Sequence, residues 1–386
     1  MKIMLVAAEA SGDALGAGLA KALKARDAGV DFVGVGGPKM AAEGVTSPFD
    51  IAELSILGWL EGLRAYKRVK ARVADTVALA VRERPDAVVL IDSWGFTIRV
   101  AKALREALPG VPLIKYVGPQ VWASRPGRAK TLAGAVDHLL ALYSFDAPWF
   151  EAEGLATTVV GSSALHVDMD SADGVRFRAS RGLAADAPLL LILPGSRPSE
   201  IRHMTPVYGE AVALLRQTHP GLEVAVVVAG TVAADVTARV AAWPFRVHLV
   251  QEDEKYDAMR AATVALATSG TVSTELALAG APMVIGYRFD PLSYAIMKPF
   301  FTGKFATLFN TAADEVIAPE LIQKDATPEK MAAAVGALLD DPDARADQSA
   351  RQTAALDRMG RGGRDPSEIA ADAVLKVIAG QGEGLR

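Results

Sequence analysis

Short apolar runs alternating with longer stretches of helical period constrain this chain more than any other feature. The runs are KIMLVAA (2–8), DFVGVGG (31–37), DAVVLID (86–92), PLIKYVG (112–118), HLLALYS (138–144) and TTVVGS (157–162). Between them, segments such as DALGAGLAKALKAR and TIRVAKALREAL place apolar residues every three or four positions, as an amphipathic helix does. Strands that read as continuous apolar runs are buried on both faces, and helices between them are the crossovers a parallel sheet needs. The pattern breaks at the polar stretch SSALHVDMDSADGVRFRASRGLAADAP and restarts with LLLILPG, LEVAVVVAG, FRVHLVQ, ATVALATSG and PMVIGYR. Two doubly wound α/β halves, joined near residues 162–187, are therefore expected. The length agrees, because 386 residues exceed the roughly 250–300 at which a single core stops growing.

Composition removes several classes of function. With no cysteine there is no disulfide, thiolate metal site or cysteine nucleophile. A net charge of −4 gives no general attraction for nucleic acid. The N-terminal run meets Glu9 and Asp13 and lacks a signal-peptide layout, and no stretch approaches the ~18 uninterrupted apolar residues of a membrane span. The histidines show no metal-ligand spacing. Asp168-Met169-Asp170 has the form of a metal-binding pair, but it falls in the link between the halves and is read as chance. GVGG at 34–37 lacks the third glycine of a dinucleotide fingerprint.

In such folds ligands bind outside the carboxyl ends of the strands. The residues expected there are Glu9-Ala10-Ser11-Gly12-Asp13, Asp92-Ser93-Trp94-Gly95 and Gly118-Pro119-Gln120-Val121-Trp122 in the first half. The second half offers Gly195-Ser196-Arg197 and Thr268-Ser269-Gly270-Thr271, with Glu275 one turn into the next helix. Small residues let backbone N–H groups approach a ligand, and helix N-termini favour anions. PGSR reads either as a diphosphate contact, with the planar fork of Arg197 suited to phosphate, or as a helix cap plus a surface arginine. The offset of Glu275 suits a carboxylate accepting both hydroxyls of a ribose.

AAEASGDALGAGL, GVGGPKMAAEG, LSILGWLEGL, VWASRPGR, LPGSRPSEI, SGTVSTELALAGAPMVIGYR and FNTAADEVIAPELIQ, in that order, make the chain resemble the lipid-A-disaccharide synthases over nearly its whole length. The resemblance implies a GT-B fold, with two Rossmann-like domains facing a central cleft. Residues 1–165 would be the acceptor and membrane side and residues 166–350 the UDP-sugar side. Residues 351–386 would be a helical segment packing back on the first domain. It also implies a metal-independent, inverting hexosyltransferase of lipid A biosynthesis with no cofactor. Its substrates would be UDP-2,3-diacylglucosamine and 2,3-diacylglucosamine 1-phosphate, met at the cytoplasmic face of the inner membrane. By the same resemblance Asp92 is the base, Arg197 with Gly195 and Ser196 holds the diphosphate, and Ser269, Gly270, Thr271 and Glu275 complete the UDP site. Glu9, Ser11 and Gly12 match the first loop, and Asn310 matches the late loop.

The departures from the family's pattern cluster around the acceptor side. Asp92-Ser93-Trp94-Gly95-Phe96 replaces Asp-Ser-Pro-Asp-Phe, Ser124 stands where a tryptophan is usual, Ser162 where a histidine is usual, and Phe309 where a proline is usual. Another acceptor, a UDP-sugar epimerase of the same architecture, and a silent UDP-sugar-binding paralogue therefore stay open at this point. Acylated substrates call for a membrane-contacting face. Helical projection of residues 56–73 puts Ile56, Trp59, Leu60, Leu63, Tyr66, Val69 and Val73 on one side and Arg64, Lys67, Arg68 and Arg72 on another. A core-facing helix with a solvated basic face fits the same pattern. The segment from Tyr294 to Lys304, with Ile296, Met297, Phe300 and Phe301, is a second candidate.

Overall fold

The structure is a computed structural model that describes residues 1–54, 62–268, 270–290, 294–295 and 298–383. It divides into two compact units, Met1–Ser162 with Gly363–Arg386, and Ser163–Gly362. The first is built on β1 (Lys2–Ala7), β2 (Asp31–Val35), β3 (Ala87–Ile91), β4 (Leu113–Tyr116), β5 (His138–Ala141) and β6 (Ala156–Val159). All pair in parallel, in the order β2-β1-β3-β4-β5-β6. The second carries β7 (Leu189–Leu193), β8 (Glu223–Val227), β9 (His248–Val250), β10 (Val264–Thr268), β11 (Met283–Tyr287) and β12 (Glu320–Ile322). These are also parallel, in the order β12-β11-β10-β7-β8-β9. Two such sheets with interleaved helices make a two-domain α/β fold of GT-B type.

The apolar runs become strands because both of their faces are covered. In the first sheet Met4, Val6, Val88 and Leu90 point into one core, shared with Val100 and Leu104 of the helix Trp94–Ala107. Ile3, Leu5, Val89 and Ile91 point into the other, against Leu19 and Leu23 of the helix Ala10–Arg26. The C-terminal helix Pro366–Glu383 closes that second core with Ala370, Ala371 and Val374, all fully buried. Burying one large aliphatic side chain is worth roughly 1.5–3 kcal/mol, so the central strands β1 and β3 contribute through both faces.

Close packing brings the first helix over the sheet. A Cβ on Gly12 would lie 3.2 Å from the Ala7 Cβ and 3.5 Å from the Ile91 carbonyl oxygen. The absence of a side chain there lets the helix start directly above the ends of β1 and β3. One turn on, buried Asp13 accepts from the N–H groups of Gly37, Lys39 and Met40 at 2.8–3.0 Å, so the GVGG loop is tied down by a carboxylate of its own unit.

The helix Gly62–Glu83 settles part of the expected docking face. Val73 is buried and Val69 packs against the core, so these two serve the interior and leave the surface face to other residues. Arg72 is committed to Glu53 at 2.6 Å and Asp75 at 2.8 Å. Lys67 and Arg68 are exposed, as is Tyr66. Trp59, with Ile56 and Leu60, lies outside the described residues, and for Leu63 and Arg64 only the helical backbone is described.

Candidate functional site

Strand order reverses between β1 and β3, which leaves a crevice at their carboxyl ends. The loops that emerge there are cross-linked. Ser11 Oγ donates to Asp92 Oδ2 at 3.0 Å, and Ser93 Oγ donates back to Glu9 Oε1 at 3.0 Å. Asp92 and Ser93 have φ of 48° and 40°, two successive non-glycine residues in the left-handed region. Val117 and Arg125, in the loop after β4, are also left-handed, at 70° and 52°. Such residues cost on the order of 1–3 kcal/mol each and persist where surrounding contacts impose them.

At the Asp92–Ser93 turn those contacts come from Thr97 and Lys115, which the sequence reading did not single out. Thr97 Oγ1 donates to the carbonyl oxygen of Asp92 at 2.8 Å. The Lys115 ammonium, carried on β4, donates to that same carbonyl and, at 2.9 Å, to Thr97 Oγ1. Lys115 is 2% exposed. Burial pushes its pKa down to about 7, against the pull of the nearby Asp92 charge. The loop that aims the Asp92 carboxylate outward is thus anchored on a buried cation.

Beside it, the loops after β4 and β5 assemble an aromatic wall. Trp122 Nε1 donates to Asp146 Oδ1 at 2.8 Å, Phe145 meets Trp122 edge-on at 5.5 Å, and Tyr143 stacks on Phe145 at 5.1 Å. Burial raises Asp146 to about 6, partly offset by the bonds from Trp122 and the Tyr143 N–H. Trp94 lies under the guanidinium of Arg128, 5.3 Å from its ring centroid.

The second unit repeats the topology. Its reversal falls between β7 and β10, and a pocket of about 320 Å³ there is lined by Gly195, Ser196, Arg197, Lys255, Gly270 and Glu275 among others. Gly195 has φ +111°, and a Cβ on it would overlap the carboxylate of Glu200. Glu200, 4% exposed, folds the loop: its Oε2 accepts from the N–H groups of Ser196 at 3.0 Å and Arg197 at 3.2 Å. Its Oε1 accepts from Arg197 Nη1 at 2.8 Å and from the Tyr287 hydroxyl at 3.3 Å. The expected backbone anion nest is therefore taken by an internal carboxylate, and the cation presented at this turn is the exposed Arg197 guanidinium.

Gly270 caps the helix Thr271–Leu278, which carries Glu275. Ser269 lies outside the described residues. Glu275 Oε1 accepts from Lys255 Nζ and the Tyr256 hydroxyl, each at 3.2 Å, and Lys255 also pairs with Glu252 at 2.9 Å. Burial opposes the Lys255 charge, but Glu252 and Glu275 outweigh it and raise its pKa. Lys255, like Thr97 and Lys115, is a residue that sequence reasoning missed. It sits after β9, and QEDEKYD offers only an ordinary charged helix start.

Asn310 is fully buried and spent on its own loop. Its amide donates to the Ala318 carbonyl and Glu320 Oε1 and accepts from the N–H groups of Ile317 and Ala318, at 2.9–3.2 Å. Asp168 closes a turn on the N–H groups of Asp170 and Ser171. No cluster of three or more metal-capable side chains occurs among the described residues. Phe300 and Phe301 are 43% and 41% exposed, Phe301 packing on Phe289 at 5.7 Å, while Ile296 and Met297 lie outside the described residues. No described helix is long and apolar enough to cross a membrane.

Residues 3–374 match the family model described as lipid-A-disaccharide synthetase. The lipid-A-disaccharide synthase of Paramagnetospirillum magneticum is 45% identical over 381 residues, 98% of each chain. That of Rhodospirillum centenum is 44% identical over 97% of this chain and 94% of its own. Among solved structures, the S. aureus MnaA–UDP co-structure aligns with TM-score 0.62 at 14% identity, over 97% of this chain and 94% of that one. The UDP-GlcNAc 2-epimerase from Neisseria meningitidis bound to UDP-GlcNAc aligns with TM-score 0.59 at 11% identity, over 98% and 100%. At these identities the structural likeness concerns the fold.

Proposed function

The chain belongs to the lipid-A-disaccharide synthase family, and from that premise we propose how its residues divide the work. The reaction is hexosyl transfer from a UDP-sugar. The 2,3-diacylglucosamine of UDP-2,3-diacylglucosamine passes to the 6-hydroxyl of 2,3-diacylglucosamine 1-phosphate, giving the β-1,6-linked acylated disaccharide phosphate of lipid A assembly and UDP. Asp92 is the base. Its carboxylate takes the proton of the 6-hydroxyl as that oxygen attacks the donor's anomeric carbon from the face opposite UDP, and the glycosidic electrons leave with the diphosphate. The observation that carries this role is the Asp92 carboxylate held by Ser11 on a strained turn at the strand-order reversal. A positioned base contributes ~10²- to 10⁴-fold in rate.

Arg197 and Lys255 supply positive charge to the departing diphosphate, where preorganised cations stabilise developing charge without solvent reorganisation. Glu275, held by Lys255 and Tyr256, accepts the ribose hydroxyls. With two cationic side chains on the donor pocket the transfer is read as metal-independent, and undiminished turnover in excess EDTA is the expected outcome. Acylated substrates place the enzyme peripherally at the cytoplasmic face of the inner membrane, with Lys67 and Arg68 near anionic headgroups and Phe300 and Phe301 near acyl chains. Trp59, Leu63 and Arg64, close to Lys67 and Arg68 in sequence, are further proposed contacts.

The test is product analysis. Purified protein with UDP-2,3-diacylglucosamine should release UDP only when 2,3-diacylglucosamine 1-phosphate is present, with a disaccharide phosphate as co-product. UDP release into water or into a different acceptor, or a C2-epimerised UDP-sugar, would overturn the reading.

A further inference from the structure

On the loops that leave β3 and β4, one charged group lacks a counter-charge among the described residues. Arg128, the first residue of the helix Arg128–Ala133, is half-buried, and among the described residues its guanidinium has no carboxylate in ion-pair distance. Other partly buried arginines of the unit do: Arg72 has Glu53, and Arg105 has Asp137 at 2.8 Å. Arg128 instead lies over the indole of Trp94. Burial and the neighbouring charge of Arg125 both pull its pKa down, the signature of a cation without its anion. A guanidinium seated on a ring keeps its N–H edge available, and that edge matches the forked geometry of a phosphate.

The position is informative. Trp94 opens the helix that follows Asp92 by two residues, and Gly95 next to it contributes no side chain that could neutralise the arginine. β3 and β4 are adjacent, so the loops carrying Trp94 and Arg128 leave neighbouring strands at the same end of the sheet. In a hexose 1-phosphate the carbons carrying the phosphate and the 6-hydroxymethyl group both flank the ring oxygen, so a base for the 6-hydroxyl and a cation for the phosphate have to lie within one sugar's breadth, and Asp92 and the Trp94-backed guanidinium are carried on loops of adjacent strands. We propose that Arg128, braced by Trp94, is the site that binds the acceptor's anomeric phosphomonoester. This rests on the acceptor assigned under the proposed function and specifies how the chain recognises it. It also gives the Trp94-Gly95 departure a physical content: the ring fixes the arginine and the glycine leaves its charge to the substrate.

The experiment compares binding of short-chain 2,3-diacylglucosamine 1-phosphate and its dephosphorylated analogue by calorimetry, with inorganic phosphate as competitor, in wild type, Arg128→Gln and Trp94→Leu. A charge-assisted contact of this kind is worth ~10- to 100-fold in affinity. Wild type should prefer the phosphorylated glycolipid by about that factor, and Arg128→Gln should bind both alike, with the acceptor KM raised and the donor KM unchanged. Trp94→Leu, which keeps the charge and removes the brace, should show an intermediate preference. Weak competition by inorganic phosphate, lost in Arg128→Gln, supports the same site, whereas competition that survives in that variant overturns it. A wild type that does not discriminate, or an Arg128→Gln variant that weakens both glycolipids equally, also overturns the proposal. Binding is read without turnover, so failure of the transferase reading would appear separately, as discrimination without product.

Discussion

At the scale of single residues, Lys115 carries the clearest conflict between stability and function. An ammonium buried at 2% exposure is held in place by the carbonyl of Asp92 and the hydroxyl of Thr97. Its pKa of about 7 lies below the ordinary lysine value of 10.5. Between those two values the unfolded chain binds more protons than the folded one, so folding stability rises with pH through that window. Below pH 7 the full cost of the buried charge is present. Lys115→Met should therefore gain in Tm relative to wild type at pH 6, and gain less at pH 9. It should also lose activity by about tenfold or more, because the Asp92 turn loses its anchor. A Tm difference independent of pH would show that the lysine is not buried as a strained cation. Nothing in the sequence marks this group, since Lys115 reads as one polar interruption in an apolar run. Asp92, Arg197 and Glu275 stood out as candidates because they lie at strand ends or one turn beyond, where the fold class places ligands. Their partners Lys115, Glu200 and Lys255 were hidden, because each is recognised only by what it touches.

At the scale of elements, the turn after β7 shows how a strand end becomes a binding surface. Gly195 adopts a φ that other residues rarely tolerate, and any side chain there would collide with Glu200, the carboxylate that organises the loop. Gly195→Ala should cost about 2 kcal/mol of stability and raise the donor KM while leaving the acceptor KM unchanged; equal effects on both would place the turn outside the donor site. The apolar runs foretold β1 to β11, most of which are buried on both faces and so need uninterrupted apolar sequence, although the edge strand β6 is largely exposed. They did not reveal β12, a three-residue edge strand paired only to β11, whose Glu320 serves as acceptor for Thr307 and Asn310. Nor does periodicity say whether an amphipathic helix faces a core or a membrane. Val69 and Val73 went to the core, a choice that depends on the sheet beneath them.

At the scale of the whole molecule, the chain returns its last helix to its first unit, where Ala370, Ala371 and Val374 complete a core face. Ending the chain before Gly363 would expose that face, with a loss on the order of 5 kcal/mol from the first unit, seen as a lowered first transition in calorimetry while the second unit's transition stays in place. A surface with a net charge of −4 does not draw the molecule to anionic lipid as a whole, so membrane contact must be local. Lys67→Glu with Arg68→Glu is expected to reduce sedimentation with vesicles containing anionic phospholipid, and Phe300→Ser with Phe301→Ser to do so independently of salt. Unchanged sedimentation in both variants would remove these faces from the account.

Under the proposed division of work, Asp92 performs the chemistry and the second unit holds the nucleotide. The direct test is Asp92→Asn, with UDP affinity measured by calorimetry and transfer by single-turnover kinetics. An unchanged Kd for UDP and a rate lowered by ~10²- to 10⁴-fold are expected. A variant that transfers at the wild-type rate, or that loses UDP affinity along with turnover, would contradict that division.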